Sequence, residues 1–126
     1  MTPRLDLAYR HCADLGLDVE FADLGARHGQ CHYDTQLIVL NRRLTIAQRT
    51  AAIAHEVGHY LGARSESRAD EVGASLIITP GEYASAESLV GHHAGAIARE
   101  LDVTHRLVLA WRRWHYKSER TLRVVA

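Results

Sequence analysis

The stretch from Thr45 to Pro80 leaves this chain little freedom. Thr45-Ile46-Ala47-Gln48 is a capping box: the threonine hydroxyl accepts the N3 amide, and the glutamine side chain reaches back to the cap amide. A helix launched there runs from Ile46 to Leu61 and stops at Gly62, a rod of about 24 Å. Only Ala63-Arg64-Ser65 separates it from a second helix, Glu66 to Ile78, which Pro80 and Gly81 end. So short a link joins antiparallel neighbours. Small residues suit their close approach: Ala51, Gly58 and Gly62 on the first helix, Ala69 and Gly73 on the second.

The remaining segments are arranged around that pair. Leu5 to Leu15 has helical spacing and ends at Gly16. Val19 to Leu24 alternates and reads as a short strand closed by Gly25; Gln30 to Leu40, with its run Leu37-Ile38-Val39-Leu40, reads as a second. Arg27-His28-Gly29 is the expected hairpin turn. Beyond a loop, Leu89 to Leu101 and His105 to Lys117 read as two more helices, and Thr121 to Ala126 as a fraying tail or an edge strand. The expected class is α+β, helices about a small β hairpin, in one domain over residues 1–126. Its parts are the N-terminal helix and strands (1–44), the central pair (45–80) and a second helix pair (88–117). With 126 residues, 47% of them hydrophobic, the chain supports one core and not two. No apolar run approaches the roughly 18 residues of a membrane span. Met1 to Tyr9 carries charges where a leader would be apolar, and Cys12 and Cys31 are too few for a disulfide scaffold. The expectation is a cytoplasmic protein with reduced thiols and no membrane partner.

The chemistry sits on the first central helix, at His55-Glu56-Val57-Gly58-His59. Histidines four apart share a helix face, and neutral imidazoles so spaced bind one Zn²⁺ at about 2.0–2.1 Å each. Glu56 is rotated by about 100° and cannot share the ion comfortably. It can act instead as general base on the water such an ion activates. Of the carboxylates on the second helix, Glu66 and Asp70 share a face, while Glu71 lies about 140° from Glu66. The favoured division makes Glu66 the third ligand and Asp70 the acceptor of a ligand histidine's outer N–H. Alternatives remain open: Asp70 as the ligand, Glu66 as a mere helix-start acid, or Asp70 ending a second capping box, Ser67-Arg68-Ala69-Asp70. A third-histidine layout fails, because Ser65 stands at that position and Met1 is the only methionine. Two histidines and a carboxylate suit Zn²⁺, and also Mn²⁺ or Fe²⁺. Candidate donors to a developing oxyanion are Tyr60, Tyr83, His32, His92 and His93.

Taken together, Leu37-Ile38-Val39-Leu40-Asn41, Gln48-Arg49, Ala54-His55-Glu56-Val57-Gly58-His59 and Glu66-x-x-Ala69-Asp70-x-x-x-Ala74-x-x-Ile77-Ile78-x-Pro80 resemble the ImmA/IrrE metallopeptidases. The resemblance implies a compact α+β zincin with His55, His59 and Glu66 as zinc ligands and Glu56 catalytic. It also implies a substrate, a helix-turn-helix transcriptional repressor cut at a specific site. The chain departs from the family in a shorter interval between His59 and Glu66. It also has Gly73-Ala74 where an aromatic-alanine pair is usual.

A rival signal lies in the tail. The net charge is zero, but from Arg99 onward seven basic residues face three acidic ones, a surplus of +4. Ile97, Ala98, Leu101, Val103 and Val108 have helix-turn-helix spacing, with Thr104 as cap. Arg106, Arg112 and Arg113 are placed to meet phosphates or a protein partner. A DNA-binding regulator with a structural or inactive metal site is thus the alternative function, and a module that docks the substrate repressor is a third. The plainer reading has two amphipathic helices completing the peptidase domain, with Trp111 and Trp114 packed on it.

Overall fold

A computed structural model describes residues 3–125 of the chain. The elements in order are α1 (Pro3–Asp14), β1 (Asp18–Ala22), β2 (Gly29–His32), β3 (Leu37–Asn41), α2 (Ile46–Tyr60), α3 (Glu66–Ile77), α4 (Pro80–Val90), α5 (Ala94–Leu101) and α6 (His105–Val125). The class is α+β, as the sequence predicts.

The central pair forms for the reasons its sequence states. The Thr45 hydroxyl accepts the Gln48 N–H at 3.2 Å, and Gln48 Oε1 accepts the Thr45 N–H at 2.9 Å. At the other end Gly62 turns left-handed, φ +108°. The N–H groups of Gly62 and Ala63 return to the carbonyls of His59 and Gly58 at 3.0 and 3.1 Å, the paired bonds of a Schellman turn. Ser65 then caps α3, accepting the Arg68 N–H at 3.0 Å. The capping hydroxyl is therefore not Ser67, and Asp70 is not part of a capping box.

Gly58 lies against Ala69, and Gly73 against Ala54. These contacts step in opposite directions along the two helices, which makes α2 and α3 antiparallel. A methyl group at either glycine would run into the facing alanine's backbone carbonyl. The glycine at position 73 is therefore what this close approach requires. Gly62, expected to share the seam, serves the turn instead.

The sheet has the order β1-β3-β2, with β3 parallel to β1 and antiparallel to β2. The expected strand from Gln30 to Leu40 is thus two strands. Tyr33-Asp34-Thr35-Gln36 is the hairpin turn, closed by Gln36 N–H to the Tyr33 carbonyl at 3.3 Å with Gln36 at φ +52°. Arg27-His28-Gly29 is no hairpin turn, since β1 and β2 are not neighbours. Folding back at Asp34 gives the buried strand β3 hydrogen-bond partners on both edges, which one long strand would deny it. Asn41, at its end, donates Nδ2–H bonds to the Gly25 and Arg27 carbonyls, both at 2.9 Å. The 23–28 connection is thereby tied down beside α2.

The C-terminal part differs more from expectation. Pro80 ends no helix: it occupies the first turn of α4, where its missing N–H costs nothing. Thr79 and Glu82 form a second capping box, with reciprocal bonds of 3.0 and 3.2 Å. The helix expected over 89–101 is interrupted at Gly91, φ +87°, so α5 begins only after the His93 cap. The expected 88–117 pair is the last two members of a set of three. Asp102, left-handed at φ 58° and ψ 47°, closes α5, and Thr104 caps α6 by accepting the Leu107 N–H at 3.2 Å. α6 stays helical through Thr121 to Val125, where a fraying tail or strand was expected; Ala126 lies outside the described residues. Trp111 is buried as expected, stacked on Tyr83 at 4.2 Å between centroids and donating its indole N–H to the Ile78 carbonyl at 2.9 Å. One apolar core runs from Leu5 and Cys12 of α1 through Ile38, Leu40, Ile53 and Ile77 to Ile97 and Val108. Cys12 and Cys31 are free thiols, and no described helix is long and apolar enough to cross a membrane.

α6 is held on α3 by a buried charge. Glu71, 1% exposed, accepts from Lys117 at 2.8 Å, Arg113 at 3.1 Å and Arg68 at 3.4 Å. Burial alone would push its carboxyl up, but the bonds to Lys117 and Arg113 outweigh burial and hold the pKa below the usual value. A depressed folded pKa contributes stability above the unfolded pKa and loses it as pH falls through the folded one. Glu71→Gln is therefore expected to cost about 2 kcal/mol at neutral pH, the scale of charge-assisted bonds. The deficit against wild type should shrink on acidification below the ordinary carboxylate range. Urea unfolding of both proteins across that range measures it; a deficit independent of pH would exclude the charge as its source.

Candidate metal centre

His55 and His59 stand one turn apart on α2, their rings at 82° with centroids 4.7 Å apart. Each ring is held from behind. His55 Nδ1 lies 2.6 Å from Asp70 Oδ1, and His59 Nδ1 lies 3.0 Å from the carbonyl oxygen of Ala63. Both partners are acceptors, so each Nδ1 carries the hydrogen and each neutral ring presents an Nε2 lone pair. Those two atoms face one carboxylate: Glu66 Oε2 is 2.8 Å from His55 Nε2, and Oε1 is 3.0 Å from His59 Nε2. A protonated ring donates from Nε2 to Glu66, whereas a neutral ring leaves a lone pair there that a cation can bridge to the carboxylate. The ligand atoms of His55, His59 and Glu66 all lie within 4.8 Å of one another. A tetrahedral ion about 2.0–2.1 Å from each donor would hold them about 3.3 Å apart. The donor set and its spacing therefore fit a divalent metal ion.

The charges are arranged to match. The Asp70 hydrogen bond pushes the His55 pKa up against the opposing effect of burial. Burial tends to raise Asp70, but its bonds to His55 and Arg106 hold it below the usual carboxylate range. Glu66 behaves likewise: slight burial is outweighed by His55 and His59.

Glu56, next along α2, is buried and opens onto the same cleft, a space of about 600 Å³. One wall is β2 and the segment before it, including Arg27, His28, Gly29 and Cys31, with Tyr33 at the rim. Ala51, Ala52 and the histidines form the floor; Glu66, Asp70 and Arg106 close the other side. Gly29 lets β2 lie close on β3: a methyl there would sit 3.2 Å from the Val39 carbonyl oxygen and 3.3 Å from Leu40 Cδ2, and in ordinary contact with Glu56 Cγ. Burial pushes the Glu56 carboxyl up, and His55 and His59 pull it back.

The profile of a peptidase family, the IrrE N-terminal-like domain, matches residues 12–76. The chain belongs to that family. A search of curated proteins finds no match to the chain. The matched stretch runs from the end of α1 almost to the end of α3, and so contains His55, Glu56, His59, Glu66 and Asp70.

Within this IrrE-like domain the five residues read from the sequence as ligands, base and support converge. The proposed oxyanion donors do not line the cleft. Tyr60 stacks on Tyr33 at 6.3 Å and accepts from Gln36 at 3.1 Å. Tyr83 is buried against Trp111, while His92 and His93 sit at the α4–α5 connection and His32 at the end of β2. The polar groups that do line it are Arg27, His28, Gln30, Tyr33 and Arg106. Only the β-register places the first four beside α2, and no local spacing signals it.

The three arginines read as possible phosphate contacts have partners inside the chain. Arg106 Nε donates to Asp70 Oδ2 at 2.9 Å, Arg112 Nε to Tyr83 Oη at 2.7 Å, and Arg113 Nε to Glu71 Oε2 at 3.1 Å. The acceptor behind His59 is a main-chain carbonyl, which no residue type announces. Its sequence signal is Gly62, because the Schellman turn that Gly62 permits brings Ala63 O to the ring.

Proposed function

We propose that this IrrE-like chain is a zinc-dependent endopeptidase, with Mn²⁺ or Fe²⁺ as alternative occupants of the site. The observation that carries this is the pair of Nε2 atoms converging with Glu66 beside Glu56, with both outer nitrogens already satisfied. The ligands are His55, His59 and Glu66, and Asp70 and the Ala63 carbonyl fix the two rings. When bound, the ion polarises the scissile carbonyl and acidifies a water molecule in the cleft.

Glu56 is the general base. It lines the cleft beside the two histidines, and a carboxyl pushed up by burial is a stronger base than one in water. It takes a proton from the attacking water and hands it to the leaving amine. Arg27, His28 and Tyr33 are the donors on hand for the carbonyl oxygen. The edge strand β2 supports a peptide as substrate. Its second edge faces away from β3, so an extended segment can add to it by main-chain hydrogen bonds while crossing the site.

The narrower part rests on the family resemblance: a helix-turn-helix repressor cut at one site in the cytoplasm, which relieves repression. The geometry favours this over DNA binding, because Arg106, Arg112 and Arg113 are each engaged within the chain.

Elemental analysis of the purified protein tests the centre. One metal ion per chain is expected, lost in His55→Ala and His59→Ala and depleted in Glu66→Ala. A wild type that stays metal-free after zinc loading would sink the reading. Co-expression with helix-turn-helix repressors, followed by mass spectrometry of any fragments, tests the substrate.

A further inference from the structure

The family match ends at residue 76, yet the support of the centre continues thirty residues further on. Asp70 uses both oxygens. Oδ1 meets His55 Nδ1 at 2.6 Å, and Oδ2 accepts from Arg106 Nε at 2.9 Å. Arg106 lies in the first turn of α6. That helix is seated by the residue next to Asp70, because Glu71 binds Arg113 and Lys117 about two and three turns later. The Arg106 side chain is 73% exposed at the cleft wall, whereas the Asp70 side chain is 11% exposed. Arg106 is thus anchored at Nε by a single in-plane bond to one buried carboxylate oxygen.

A carboxylate held by a single hydrogen bond still rotates about its last torsion, which is broad and roughly two-fold. A second anchor on the other oxygen fixes its plane. We propose that Arg106 is a positioning residue for the metal centre: it locks Asp70, so that Oδ1 meets His55 Nδ1 and His55 Nε2 stays aimed at Glu66. The consequence for metal affinity rests on the proposed metal centre; the orientation of the ring does not. α6, beyond the matched family segment, then carries part of the ligand geometry.

Two measurements on the full chain test this. In the metal-free protein, the His55 Nδ1 proton should give a slowly exchanging imidazole NMR signal, broadened away in Arg106→Ala and restored in Arg106→Lys. In a zinc competition titration against a chromophoric chelator, Arg106→Ala should weaken binding about tenfold, the lower end of the range for groups supporting a ligand. Arg106→Lys should recover most of that loss. Arg106→Ala on an Asp70→Asn background should add nothing, because Arg106 acts only through Asp70.

An unchanged His55 signal with unchanged zinc affinity in Arg106→Ala would overturn the proposal, as would a loss that adds in full on Asp70→Asn. If the wild type binds no zinc, the metal centre itself falls, and the NMR comparison alone then decides what Arg106 does. Thermal unfolding of each variant, with α6 still seated by Glu71, separates loss of orientation from loss of fold.

Discussion

Glu56→Gln is expected to keep its metal and lose its hydrolysis, with turnover falling about 10²–10⁴-fold, the usual worth of a positioned base. The substitution changes almost no volume and takes away the one group able to receive the water's proton. Glu56 is not among the residues whose donor atoms converge, which are His55, His59 and Glu66, so the ion should stay. Stability should not suffer. Burial raises the folded pKa of Glu56, so its ionised form opposes folding at pH above that value, and a neutral amide removes the opposition. The expected profile is full metal content, an unfolding midpoint equal to or above wild type, and almost no product. Metal loss in this variant would make Glu56 a ligand, and a fall of less than tenfold would leave it no role as base.

Gly58→Ala attacks the same centre through the packing beneath it. The new methyl would meet the Ala69 carbonyl, and this is main chain that no rotamer change can move aside. Relief requires α2 and α3 to part, which carries Glu66 and Asp70 away from the histidines. Overpacking costs about 1–3 kcal/mol in ordinary cores, and a backbone obstacle belongs at the upper end. The better helix propensity of alanine returns about 1 kcal/mol. The expected result is a net loss of about 2 kcal/mol in urea unfolding, together with a sharp fall in zinc affinity. Gly81→Ala is the control: nothing lies within 4 Å of the added methyl, so stability should hold or rise. Should Gly58→Ala match wild type in both readouts, the helix seam would not be what sets the ligand spacing.

The central pair was legible because each of its signals is local. Thr45 and Gln48 are three residues apart, Gly62 marks its own turn, and a three-residue link permits only a tight return. The hairpin was misplaced because Gln30 to Leu40 reads as one run, and the break at Asp34 shows only once Ile38 is paired with Cys31. α4 was missed although its capping box was equally local: Pro80 can end one helix or begin the next, and only Thr79 with Glu82 decides. The candidate ligands were readable from the i,i+4 spacing of His55 and His59 within α2 and of Glu66 and Asp70 within α3. Their supports were not, since Arg106 approaches Asp70 from 36 residues away. The basic surplus of the tail suggested phosphates, but part of it is answered by Asp70 and Glu71, acids of α3. Sequence shows that a charge is present and leaves open which surface it is folded against.

The three donors fall within a single helical hairpin, from His55 to Glu66. Bringing them together closes only a small loop of chain, and the entropy of closure is correspondingly low. The donors and the Arg106 support thus lie in separate parts of the chain, about forty residues apart from Glu66 to Arg106. On the proposed reading the hairpin supplies every donor, and α6 adds only the support that Arg106 gives through Asp70.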